Sequence, residues 1–83
     1  MKREIPFVLS YGGQHLRANT MDISERGLSI KVFGSPLLPV GDILDIHVRD
    51  SSVRAQIVWV FSNPEDSTAV TGLKILDGRL NFP

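Results

Sequence analysis

The hexapeptide Asp22-Ile23-Ser24-Glu25-Arg26-Gly27 separates two runs of alternating apolar and polar residues, and so reads as a corner between strands. On its C-terminal side Leu28, Ile30 and Val32 alternate with Ser29 and Lys31, the period of a half-buried strand. On its N-terminal side Leu16, Ala18 and Thr20 share one face, and Arg17, Asn19 and Met21 the other. If extended backbone reaches into the corner, Asp22 and Ser24 project together while Ile23 turns away. Gly27 is expected to allow a turn that a side chain would block.

The same pattern extends in both directions. Phe7, Leu9 and Tyr11 alternate with Val8 and Ser10, and Gly12, Gly13 and Gln14 predict a hairpin turn into a strand from His15 to about Met21. The strand Leu28 to Phe33 stops at Gly34, Ser35 and Pro36. Closely spaced prolines make Leu37 to Asp42 a loop, whose leucines are expected to cap the core. Leu44, Ile46 and Val48 then alternate with Asp45, His47 and Arg49, ahead of a turn at Asp50, Ser51 and Ser52. In the longest strand Val53, Ala55, Ile57, Trp59 and Phe61 share a face. Val58 and Val60 complete the opposite face, which predicts cover on both sides and places Trp59 and Phe61 in the core rather than against a ligand. A polar hairpin from Asn63 to Thr68 leads to a last strand, Val70 to Leu76, in which Gly72 signals a bulge or a close backbone approach. No window sustains a helical period. Short strands joined by tight turns predict an all-β fold, a small six-stranded antiparallel β-barrel or sandwich, and closure is favoured because it removes exposed edges.

Size and charge narrow the function. A chain of 83 residues, 42% of them apolar, suits one domain over 1–83, with residues 1–5 expected as a flexible N-terminal arm. Nine basic and nine acidic side chains cancel, so no net field favours nucleic acid or an anionic membrane. Locally, Lys2, Arg3, Arg17, Arg26 and Lys31 outnumber Glu4, Asp22 and Glu25, a basic third suited to a small phosphate-bearing ligand. The absence of cysteine excludes disulfides and thiolate metal sites, as befits a reducing compartment. Met1 to Pro6 does not read as a secretory signal, and no apolar run approaches the roughly 20 residues of a bilayer span. A cytoplasmic domain without direct membrane insertion is expected, whether alone or as part of a larger protein. His15 and His47 lack ligand spacing, so no metal is expected. With no nucleophile-and-base pattern either, catalysis is not expected.

Asp22, Ser24 and Gly27 match the Asp/Asn-x-Ser-x-x-Gly signature of the PilZ domain, and the chain resembles that family over nearly its whole length. A hairpin precedes the signature, and a strand and a Leu/Pro/Gly-rich loop follow it. Gly72-Leu73-Lys74-Ile75 resembles the family's closing Gly-apolar-x-apolar strand. The resemblance implies a six-stranded barrel that binds cyclic dimeric guanosine monophosphate (cyclic di-GMP) as a regulatory module, with no cofactor. On that reading Asp22 accepts the paired N–H donors of guanine, Ser24 bonds a base or phosphate atom, and Gly27 lets the backbone approach. Arg3, with Lys2 and Arg26, would serve phosphates and guanine, since guanidinium forks onto guanine or pairs with phosphate.

The chain departs from the family at its start, where an Arg-x-x-x-Arg element is expected. With Ile5-Pro6-Phe7 aligned to the family's first strand, Glu4 occupies the second arginine's place. Either the N-terminus realigns and Arg3 does the work, or the domain is a degenerate scaffold acting through protein contacts without the nucleotide. Gly78 to Pro83 is too short for the family's frequent C-terminal helix. Asp22 and Ser24 also admit a local role, bonding backbone N–H groups to hold the corner. Glu25 and Arg17 read as surface charges. In the ligand-binding reading the module works as a switch upon a protein partner or neighbouring domain. An oligonucleotide-binding barrel would need a basic, aromatic groove that this composition does not suggest.

Overall fold

The alternating runs close on themselves: a computed structural model, which describes residues 4–34 and 38–79, is a closed six-stranded antiparallel β-barrel. Its strands are β1 (Pro6–Tyr11), β2 (Gln14–Ile23), β3 (Gly27–Phe33), β4 (Ile43–Val48), β5 (Ser51–Asn63) and β6 (Thr68–Arg79). They succeed one another round the wall as β1-β2-β3-β6-β5-β4. Pairing of β4 with β1 through Val8–His47, Leu9–Ile46 and Ser10–Asp45 completes the cylinder, while β5 beyond Ile57 pairs with β6 alone. Among the described residues there is no helix, and none long and apolar enough to cross a membrane.

Inside, Leu9, Ile30, Val32, Leu44, Ile46, Val48 and Ile57 are buried. Each belongs to the inward series of its strand. Ile5, within the expected N-terminal arm, is buried and tied to β2 in both directions. Its N–H donates to the Thr20 hydroxyl at 2.8 Å, and the Thr20 N–H donates to its carbonyl at 2.9 Å. Leu38 is buried beneath the loop as expected, whereas Leu37 lies outside the described residues. The first hairpin needs only Gly12 and Gly13, at φ 58° and 78°, because Gln14 already pairs with Tyr11. The next tight turn falls at Arg49 and Asp50 rather than at Asp50 to Ser52. Val48 pairs with Ser51, and Arg49 takes the left-handed φ of 56°.

Three one-residue insertions interrupt the ladders, one of them in β6, where the step from Arg54–Asp77 to Ala55–Ile75 leaves Leu76 extra. In β2 the register steps from Thr20–Ile30 to Asp22–Ser29, leaving Met21 as the extra residue. In β5 it steps from Ile57–Leu73 to Trp59–Gly72, leaving Val58 extra. A bulge reverses the alternation beyond it. Thr20 therefore faces inward, but Asp22 faces out and Ile23 in. Likewise Ile57 faces inward and half-buried Val60 packs on the core, while Trp59 and Phe61 are 46% and 67% exposed. The expected core positions of Trp59 and Phe61, and the expected cover on both faces of this strand, are corrected by the Val58 bulge.

Thr20→Val keeps the shape of the side chain but leaves the buried Ile5 N–H without its acceptor. Its urea midpoint is expected to fall with unchanged slope, corresponding to a loss of about 1–3 kcal/mol. At the barrel rim the Tyr11 hydroxyl donates to the Asp42 carboxylate. That bond raises the phenol pKa above its ordinary 10.0, helped by desolvation and by the Asp42 charge. The bond's contribution is thus intact below the ordinary value and is lost as pH rises through the folded one. Near-ultraviolet titration of Tyr11, the single tyrosine, should show a late midpoint that returns toward 10.0 in Asp42→Asn.

Candidate functional site

Beyond the bulges of β2 and β5, four consecutive strands contribute one outward row. Asp22 of β2 pairs with Ser29 of β3, Ser29 with Gly72 of β6, and Gly72 with Trp59 of β5. Gly72 is the gap in this row. A methyl group there would lie 2.0 Å from the indole Nε1, so the absence of a side chain is what lets the ring lie across β6. The Thr71 hydroxyl donates to the Trp59 carbonyl at 2.8 Å and holds the bulged backbone from the other side. The result is an open groove of about 390 Å³, lined among others by Asp22, Ser24, Gly27, Ser29, Trp59 and Gly72. It offers an acidic acceptor at one end, hydroxyls in the middle and an indole at the other. Those groups suit a flat heterocycle with N–H donors on its edge and a π-face.

The corner beside the groove is bonded within itself. Ser24 N–H donates to the Gly27 carbonyl at 2.9 Å; the Ser24 hydroxyl donates to the same carbonyl at 3.0 Å and accepts the Gly27 N–H at 3.2 Å. Ser24 thus has the local, corner-holding role that its residue type allows. Gly27 is not in the left-handed region, contrary to the turn expected of it. Its small size is required because a Cβ would stand 2.7 Å from the Leu73 carbonyl oxygen. The Ile75 N–H donates to the Arg26 carbonyl at 2.9 Å, which fastens the corner to β6.

Of the residues singled out in the sequence, Asp22, Ser24 and Gly27 meet at the groove. Arg26 lies on the far side of the corner, in a second hollow shared with Arg79. Lys2 and Arg3 lie outside the described residues, and Glu4 is exposed. Arg17 stands apart, beside Val8 and Phe33. The sequence reading did not bring Ser29 and Trp59 to the groove or Arg79 to the second hollow, where the structure places them. The signal for Trp59 was present in the run Val58-Trp59-Val60, where alternation fails, opposite a strand glycine.

A family model described as the PilZ domain matches residues 1–81, and the chain belongs to that family. No curated protein and no solved structure matches it. PilZ is a ligand-binding regulatory family rather than a catalytic one.

Gly72→Ala should evict the indole from its seat. Because Trp59 is the single tryptophan, its emission reports the event directly: a shift toward the fully solvated maximum is expected, and an unchanged spectrum would contradict the packing.

Proposed function

We propose that this domain binds cyclic di-GMP and acts in the cytoplasm as a non-enzymatic second-messenger receptor. The observation that carries the reading is the placement of Asp22, Ser29 and Trp59 along one open groove beside the signature corner. Guanine has two adjacent N–H donors on its Watson–Crick edge, and an ionised carboxylate accepts both as charge-assisted bonds. Its ring stacks on the indole, an attraction insensitive to the rest of the ligand. Ser24 in this reading acts mainly by shaping the corner, since its hydroxyl is engaged with Gly27. Lys2 and Arg3 are further candidates for the phosphates. Binding shifts the population of surfaces offered to a protein partner or neighbouring domain, to the extent that the ligand prefers one of them.

A second reading is favoured by exposed Glu4, a carboxylate where the family carries a cation. It makes the barrel a scaffold that works by protein contacts alone. Calorimetric titration separates the two. The receptor reading expects a dissociation constant tighter than about 1 mM, weakened about tenfold or more by Asp22→Ala. Trp59→Ala should cost about 1–3 kcal/mol of binding through lost stacking. No heat with the wild-type protein, under conditions where it is folded, leaves the scaffold.

A further inference from the structure

The corner Ser24–Gly27 separates two hollows rather than bounding one. On the side away from Trp59 lies the larger, about 670 Å³, between the corner and the end of β6. Ile23 and Ser24 line both, so the two spaces adjoin across a wall one or two residues thick. Arg26 reaches the second hollow from the corner and Arg79 from the last position of β6. Glu25 also lines it, so the local charge is two guanidiniums against one carboxylate.

We propose that this second hollow is an anion subsite, in which Arg26 and Arg79 together hold the phosphodiester portion of a ligand whose base lies in the Asp22–Trp59 groove. The proposal rests on the purine reading for the ligand's identity, and on the two arginines for the anion. Among the described residues neither guanidinium is held in an ion pair, whereas Arg54 is bonded to Asp45 at 3.1 Å and Lys31 lies over the Phe33 ring. The fork of a guanidinium matches a phosphate's paired oxygens. Buried Ile23 and half-buried Ile75 form an apolar floor, which weakens the screening that an open surface would impose on such a pair.

The backbone that carries both arginines is fixed. Arg26 is fastened through its carbonyl to Ile75, as described above. Arg79 pairs with Ser52 of β5, and Gly78 before it takes φ 91° at a point where a Cβ would lie 2.3 Å from the Ser52 carbonyl oxygen. That close approach holds the end of β6 against its neighbour. Two cations mounted on separate, tethered elements offer a seat made before the ligand arrives, so little ordering is left for binding to supply.

The test uses Arg26→Gln, Arg79→Gln and the double variant, with Arg17→Gln as a control that removes the same charge from another part of the wall. Each arginine at the hollow is expected to weaken cyclic di-GMP binding about tenfold, as loss of a charge-assisted bond implies, while Arg17→Gln leaves it unchanged. Guanosine, which has the base but no phosphate, should still perturb the Trp59 indole resonance in the double variant. Wild-type affinity in the double variant, or equal weakening by Arg17→Gln, overturns the subsite and leaves the groove intact. Should the wild-type protein bind no cyclic di-GMP, pyrophosphate decides the matter. Saturable shifts of the Arg26 and Arg79 guanidinium resonances sustain the anion site, and their absence removes it.

Discussion

Everything on the outer face depends on the strict two-residue alternation of a strand and on its violation at Met21 and Val58. A closed wall enforces that alternation, because every strand is paired on both sides and cannot slip to suit one residue. Had β2 continued without a bulge, the parity that buries Ala18 and Thr20 would have carried the Asp22 carboxylate into the core. An unpaired charge there costs several kcal/mol or forces protonation. The Met21 bulge resolves the conflict by turning Asp22 out and Ile23 in. The Val58 bulge does the same for Trp59 and Val60, and the two reversals bring acid and indole onto one row.

Packing and site are therefore one problem solved once. Gly72 has no side chain because Trp59 crosses it, and Gly27 has none because the Leu73 carbonyl approaches it. Both glycines serve close contact between β6 and its neighbours, not chain reversal. The same contacts set the depth of the groove and the stiffness of the corner. Ser24 spends its hydroxyl on that stiffness. Along the groove Asp22 then stands at one end, Ser29 in the middle and the indole at the other.

Much of this was legible in the chain, for a definable reason. Strand number, the antiparallel barrel, the Gly12-Gly13 hairpin and the meeting of Asp22, Ser24 and Gly27 all follow from period-two patterning and local turn chemistry. So does the resemblance that the family match bears out. Parity beyond a bulge does not follow from either. Val58, Trp59, Val60 and Phe61 are all apolar, so hydrophobicity cannot say which of them occupies the core, and the unbroken count put Trp59 and Phe61 inside. Ser29 was hidden in the same way, as an ordinary outward residue whose importance comes from its partners on β2 and β6. Arg79 belongs to a strand that runs past the apolar pattern to a glycine bend, where sequence alternation carries no information.

The closed wall constrains how such a face can evolve. Deleting a paired residue from a strand with no extra residue, such as Lys31 of β3, would not just shorten that strand; it would invert every side chain from that point to the rim, and the ring of paired neighbours has nowhere to absorb the error. The outer face can thus change one substitution at a time, at positions such as Ser29 or Trp59. Length change within the regularly paired stretches of the wall is closed to it, so new reach must come from the bulges and from the loops that frame the cylinder.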